Sequence, residues 1–239
     1  MNHREVFFIA DDFGMSAEVN RAIVHAHVHG TLHGTSLMVG QPGTDDAVRM
    51  ARDNPGLQMG WHLHLDSSQP VTRASWPWGN SYRRAGWAIG LSRDARQLMR
   101  DEVRAQWELF SATGLRCAFV NSHHHLHAHP FVYQMLLEVL PRTFDGWLRL
   151  GKPRFFSADL DAVWMGPADW LFMEPRRRRC PYRCCDTLWG LGRTFRMQAN
   201  EVANAARQLD DGLHEFYFHP RTTDDQDTRC LLELKTCGF

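Results

Sequence analysis

No stretch of this sequence reaches the roughly eighteen consecutive apolar residues that a membrane-spanning helix needs. The apolar run Val6–Ala10 is too short for the core of a secretory signal and ends in two aspartates. The expectation is therefore a cytoplasmic chain whose six cysteines (Cys117, Cys180, Cys184, Cys185, Cys230 and Cys237) stay reduced. Neither charge is in excess, because 27 basic residues are matched by 27 acidic ones, so nucleic acid is not expected as a partner. Internal repeats and low-complexity linkers are absent, and residues 1–239 read as a single domain. A Gly-rich phosphate cradle is missing, as is a second carboxylate cluster, which argues against a phosphoesterase. Cys180, Cys184 and Cys185 look like half of a zinc site, but no second Cys/His pair stands at a matching distance.

What the sequence does have is order and histidine. Short apolar runs alternate with helical patterns, the mark of β/α units around a parallel sheet. Strands are expected over Val6–Ala10, Thr35–Val39, Met59–Leu65, Cys117–Asn121 and Glu215–His219. Helices are expected over Ala17–His29, Thr44–Asp53, about Ala95–Phe110, Pro130–Leu140 and Asn200–Leu209. Ser16 offers the first helix an N-cap and Gly30 a C-terminal stop. Residues 67–92 break the rhythm with Trp76, Trp78, Tyr82, Trp87, two prolines and three glycines. So long a loop inside a compact domain suggests a lid. Residues 141–198 read as irregular, with a strand only at Leu148–Leu150.

Four strand ends finish in ionisable residues: Asp11-Asp12, His62 with His64, Asn121–His129, and His219. In parallel β/α folds such ends converge on one face, where sites form. Carboxylate and imidazole together suit a divalent cation of the zinc type. A second carboxylate beside the ion can take a proton from water. In extended backbone Asp11 and Asp12 would point opposite ways, one to the ion and one to the water. A histidine such as His219 would protonate a departing amine. A turn or a packed core accounts for a lone Asp-Asp pair or a lone histidine. Neither accounts for His123, His124, His125, His127 and His129, five histidines in seven residues. Spacing leaves open whether His123 acts with His125 or with His127. His64 shares a strand face with His62, so it adds a ligand or narrows the site. Two or more of Trp76, Trp78, Tyr82 and Trp87 are expected to pack the loop onto the barrel, and one, Trp76 or Trp78, to serve as the aromatic platform for a sugar ring. Trp170–Met173 beside Arg176–Arg179 reads as a surface loop with solvated arginines or else as a segment drawn to anionic lipid.

Ala10–Ser16, Gly60-Trp61-His62, Asn121–His127 and Phe218-His219-Pro220 resemble the YdjC-like carbohydrate deacetylases. Val19–Val71, Cys185–Leu191 and Glu215–Pro220 are most similar to the hopanoid-biosynthesis-associated branch, and the likeness runs from about residue 5 to about residue 222. The resemblance implies an irregular β/α barrel in which Asp12, His62 and His123 hold zinc or magnesium. It implies Asp11 as the general base that activates water, and His219 as general acid or transition-state stabiliser. His64, His125, His127, Trp76 and Trp78 are expected around the substrate. The implied reaction is hydrolytic removal of the N-acetyl group from an N-acetylglucosamine unit, on a hopanoid glycolipid or else a chito-oligosaccharide. A non-catalytic sugar- or lipid-binding protein on the same scaffold is the rival of another class. Asn121 stands where the wider family carries Asp. The sequence ends about twenty residues after His219, short of its relatives, so a barrel incomplete at the C-terminus is expected. Peripheral membrane contact and homo-oligomerisation stay open.

Overall fold

The computed structural model describes residues 3–151 and 174–239. Eight strands pair in parallel: β1 (Arg4–Phe13), β2 (Gly34–Leu37), β3 (Gln58–Leu63), β4 (Phe119–Ser122), β5 (Trp147–Leu148), β6 (Arg183–Cys184), β7 (Thr187–Trp189) and β8 (Gly212–Phe218). Their lateral order is β6-β5-β4-β3-β2-β1-β8-β7. The two ends of that order are pieces of one segment. The Cys185 N–H donates to Leu148 O of β5 at 3.2 Å, and the Asp186 N–H donates to Leu213 O of β8 at 2.6 Å. Residues 183–189 thus border both edges and curl the sheet round on itself, as the expected α/β barrel requires.

Helices α1 (Ala17–His29), α2 (Thr44–Asp53), α3 (Tyr82–Leu91), α4 (Arg93–Ala112), α5 (Pro130–Val139), α6 (Ala199–Arg207) and α7 (Gln226–Leu234) pack outside the strands. The first is as read from sequence: Ser16 Oγ accepts from Val19 N–H, and Val19, Ala22, Ile23 and Ala26 are buried. Where expectation and structure part, the reason is local. Ten residues of the supposed 67–92 loop form α3, which Ser81 caps and which buries only Ala85 and Ile89, too few apolar positions for a visible period. The stretch before it is pinned rather than free. The buried Glu102 carboxylate accepts from Val71 N–H at 2.7 Å and from Thr72 N–H at 2.9 Å. Strands β5, β6 and β7 have two or three residues each, below the length at which alternation can be read. Helix α7, capped by Asp225 and packed on α1 and α6, follows β8. Trp170–Met173 lies outside the described residues. Of the arginine block beyond it, Arg177 pairs with Asp186 and Arg178 with Glu174. No helix among the described residues is long and apolar enough to cross a membrane.

Parallel partners share a side of the sheet, so register can be followed round the barrel. Ile9 pairs with Gly34 and Tyr217, Ser36 with Gly60, Gly60 with Phe119, and Phe119 with Trp147. Residues of the other parity, such as Phe8, Ala10 and Phe216, join Val19, Ile23 and Ala26 in the core under the helices. On the inner side Ile9, Phe119, Trp147, Cys185 and Leu213 form a separate apolar layer. Gly60 makes room for it, since a Cβ there would meet the Phe119 ring at 2.3 Å. Two residues further along each strand the interior turns polar: Asp11, Ser36, His62, Asn121, Arg149 and Glu215, all buried. The period of two that builds the apolar floor therefore also delivers a polar layer above it.

Candidate active site

A regular strand would send Asp11 and Asp12 to opposite sides. Instead the β1–β2 register shifts between Ala10 and Phe13, and Asp12 has a φ of 71°. This bulge re-aims the second carboxylate, at a residue type that tolerates left-handed backbone. Both carboxylates consequently reach the neighbourhood of His62, which corrects the expectation of opposed side chains. Gly14 completes the turn into α1 with a φ of +93°, and a Cβ there would stand 2.7 Å from Met38 O.

Asp12 is fully buried. Its Oδ1 lies 3.2 Å from His62 Nε2 and 3.0 Å from His123 Nδ1, while Oδ2 accepts from Arg221 NH2 at 2.7 Å. One ligand atom from each of Asp12, His62 and His123 falls within 4.8 Å of the others. The His62 Nδ1–H donates to Asn121 Oδ1 at 2.6 Å, with Ser36 Oγ also 3.0 Å away. That bond leaves the Nε2 lone pair aimed at the Asp12 oxygen, and Nε2 is buried without a hydrogen-bond partner. Two lone pairs meeting at 3.2 Å call for a positive charge between them. Burial works against charge on the His62 ring, yet Asp11 and Asp12 pull its pKa up. Burial likewise opposes an ionised Asp12, yet the adjacent His123 and His62 rings hold it well below the usual carboxylate range. The field at this point favours a cation, and mixed carboxylate–imidazole donors suit zinc.

Asp11 is compensated differently. Its Oδ2 accepts from Arg149 NH1 at 2.5 Å, and its Oδ1 accepts from Arg149 NH2 at 2.7 Å, Asn121 Nδ2 at 3.0 Å and Ser36 Oγ at 3.1 Å. Burial alone would raise its pKa, but the Arg149 guanidinium and His62 hold it far below the ordinary value. Arg149 also donates from Nε to Glu215 Oε1 at 2.6 Å. Burial pushes the Glu215 carboxyl up despite that contact. Asn121 suits its place for a chemical reason: it must accept from His62 and donate to Asp11, which an ionised Asp could not do.

Above these groups opens a cavity of about 410 Å³, lined in part by Asp11, His62 and His123 on one side and Tyr217, His219 and Arg221 on another. His219 follows β8; its backbone N–H donates to Asp227 Oδ2 at 2.8 Å. Its Nδ1 is buried with no partner, and burial keeps the ring neutral, with a pKa of about 4. Phe195 lines the same cavity with a φ of 63°, a strained value for a bulky residue. Its half-exposed ring lies 5.3 Å from that of His219, with the Arg221 guanidinium 5.4 Å over it. Tyr82 lines the cavity beside His124, their rings 5.2 Å apart.

The structure brings together Asp11, Asp12, His62, His123 and His219. It places the remaining expected residues elsewhere or in other roles. His64 lies beyond the end of β3 with both nitrogens engaged, Nε2 2.8 Å from Val39 O and Nδ1 2.9 Å from Ser68 Oγ. Burial drops its pKa to about 4, and it does not line the cavity. His127 is likewise held, by Ser122 Oγ at 2.8 Å and Arg149 O at 2.7 Å. His125 does line the cavity, 3.3 Å from the Tyr217 hydroxyl, but the partner of His123 around Asp12 is His62. Trp76 and Trp78 are buried, stacked on each other at 5.4 Å, and Trp78 Nε1 donates to Leu65 O at 2.7 Å. They pack the loop onto the barrel; Tyr82, Phe195 and Tyr217 are the aromatics at the cavity. Sequence reading passed over Arg149, Ser36, Tyr217, Phe195 and Arg221. Only Glu215 and Tyr217, alternating with Phe216 and Phe218, carried a readable signal of inward parity.

A family model described as YdjC-like protein matches residues 5–236. A carbohydrate deacetylase from Vibrio vulnificus (strain YJ016) is 35% identical over 155 residues, covering 61% of this chain and 58% of that protein. Another, from Brevibacillus brevis (strain 47), is 39% identical over 132 residues, covering 54% and 53%. The match thus spans little more than half the length of these curated relatives. Among solved structures, one from Enterococcus faecalis V583, named as a candidate cellobiose-phosphate cleavage protein, superposes with a TM-score of 0.69 at 18% identity. It covers 98% of this chain and 94% of its own, and shows the same fold.

Proposed function

The chain belongs to the YdjC-like protein family, and on that premise we propose that it is a divalent-metal-dependent carbohydrate N-deacetylase. The observation that carries this reading is the buried, unpartnered His62 Nε2 facing Asp12 and His123. Asp12, His62 and His123 would hold the ion, zinc or magnesium, which when bound polarises an acetyl carbonyl and acidifies water. Asp11, locked in orientation by Arg149, receives the proton of the attacking water. As the water oxygen bonds to the acetyl carbon, the carbon–nitrogen bond breaks and the nitrogen leaves as an amine. Neutral His219, whose ring lines the cavity, stabilises the transition state by hydrogen bonding, and the proton taken up by Asp11 passes on to that nitrogen. Tyr82 and Phe195 flank the sugar. The carbohydrate deacetylases among its relatives support the reaction class.

The finer substrate assignment is an N-acetylglucosamine unit on a hopanoid glycolipid, which the motifs shared with that branch support. The test is acetate release from a panel holding the glycolipid and chito-oligosaccharides, with and without chelator, beside metal titration of the wild type and His123→Ala. Acetate from the glycolipid alone, abolished by chelator, is expected, with His123→Ala losing both metal and turnover. Acetate only from the soluble sugars would replace the substrate; metal binding without acetate from any amino sugar would replace the enzyme by a binding protein.

A further inference from the structure

Between residues 67 and 93 there is no Asp or Glu, but there are four arginines, Arg73, Arg83, Arg84 and Arg93. In a chain of zero formal charge this is a local concentration of positive charge. Among the described residues, none of the four arginines makes an ion pair with a carboxylate. Helix α3 lies inside this segment. It buries Ala85 and Ile89 and turns the rest of its circumference outward. At the centre of the outward arc stands Trp87, 69% exposed, with Leu91, 79% exposed, one turn further along. These are the two most exposed large apolar side chains among the described residues. Arg83 precedes Trp87 by four positions on the same stripe, and Arg84 flanks it. Arg96 donates to Ile89 O at 2.8 Å and to Gly90 O at 3.0 Å, which fastens the end of the helix that carries Leu91.

We propose that the outward face of α3 docks on an anionic lipid surface, with Trp87 and Leu91 entering the headgroup boundary and Arg83 and Arg84 meeting the phosphates. Charge complementarity selects this occupant: a basic helix without a single acidic residue, bearing an indole amid arginines, has the composition of an interfacial segment. Long arginine side chains can lie along the apolar ridge while their heads stay among the phosphates. Position adds a consequence. Tyr82, the first residue of α3, lines the active-site cavity, so docking would turn that mouth toward the bilayer. The docking itself does not depend on the deacetylase reading.

Co-sedimentation of the full chain with vesicles tests this. One set holds phosphatidylglycerol and phosphatidylcholine in equal parts; the other holds phosphatidylcholine alone. Binding to the anionic set only is expected, weakening as salt rises. The double variants Trp87→Ser/Leu91→Ser and Arg83→Gln/Arg84→Gln should each lower the bound fraction roughly tenfold. Thermal unfolding should match wild type in both, since these side chains are exposed. Failure of wild type to bind anionic vesicles overturns the proposal. So does binding that survives both substitutions, which would move the contact to another surface such as Arg176–Arg179. Concentration-dependent self-association abolished by Trp87→Ser/Leu91→Ser, without vesicle binding, would make the face a contact between two copies of the chain.

Discussion

Asp11 and Asp12 are neighbours in sequence, both buried, yet the fold treats them in opposite ways. Asp11 is closed: Arg149, Ser36 and Asn121 satisfy its oxygens and supply a permanent positive charge. Asp12 is open: two of its partners are imidazoles, one with an unpartnered nitrogen, and its Arg221 contact reaches in from a half-exposed position. A carboxylate whose charge the protein balances internally is a fixed, oriented group. One that the protein leaves partly unbalanced is a place for an exchangeable cation. The proposed function accordingly gives different work to two chemically identical side chains.

The difference can be tested hardest at the carboxylates themselves. Asp12→Ala should lose metal and turnover together, whereas Asp11→Asn should retain metal while kcat falls between about 100- and 10,000-fold. Metal titration beside acetate release reads both, and loss of metal from Asp11→Asn would erase the distinction. Next in size is Arg149→Met, which strands Asp11 and Glu215 as buried unpaired carboxylates. Urea unfolding near neutral pH should show about 3–5 kcal/mol lost.

Asp227, which accepts from the His219 backbone N–H, offers a smaller, pH-dependent effect. Burial pushes its carboxyl up to about 6, so the folded state binds its proton more tightly than the unfolded state. Stability from this site is present below the normal carboxylate pKa and is lost as pH rises through about 6. Between about pH 4 and pH 7 the wild type should lose about 2 kcal/mol more than Asp227→Asn; parallel pH profiles would refute this. Smallest is the strained Phe195. Phe195→Gly should be more stable than Phe195→Ala by about 1 kcal/mol, because only glycine accepts its φ without cost. Both should raise KM for the amino sugar. An unchanged KM would remove the ring from the substrate's path.

Much of this molecule is legible in one dimension. Helix α1 falls where its cap and apolar spacing put it, helix α2 falls over the expected Thr44–Asp53, and the five-in-seven histidine run supplies His123, which meets Asp12. These signals are local: a cap, a period or a dense motif needs no knowledge of what packs against it. The misreadings cluster where a residue's meaning depends on distant chain. One of Trp76 and Trp78 was expected to be a sugar platform because aromatics in a loop carry no label for inside or outside; the apolar core claims both and the Leu65 carbonyl holds Trp78. His64 was expected to add a ligand or narrow the site because strand parity was continued past the point where β3 ends.

The sequence by itself determined the alternation of strand and helix, the parity that sends every second strand residue inward, and the chemical types gathered at the strand ends. Only the tertiary structure decided that His62, rather than His125 or His127, joins His123, and that Arg149 orients Asp11. Periodicity tells which way a side chain points along its own element. Which points meet depends on the bulge at Asp12 and on a sheet closed through residues 183–189, and both arise from pairing between strands far apart in the chain.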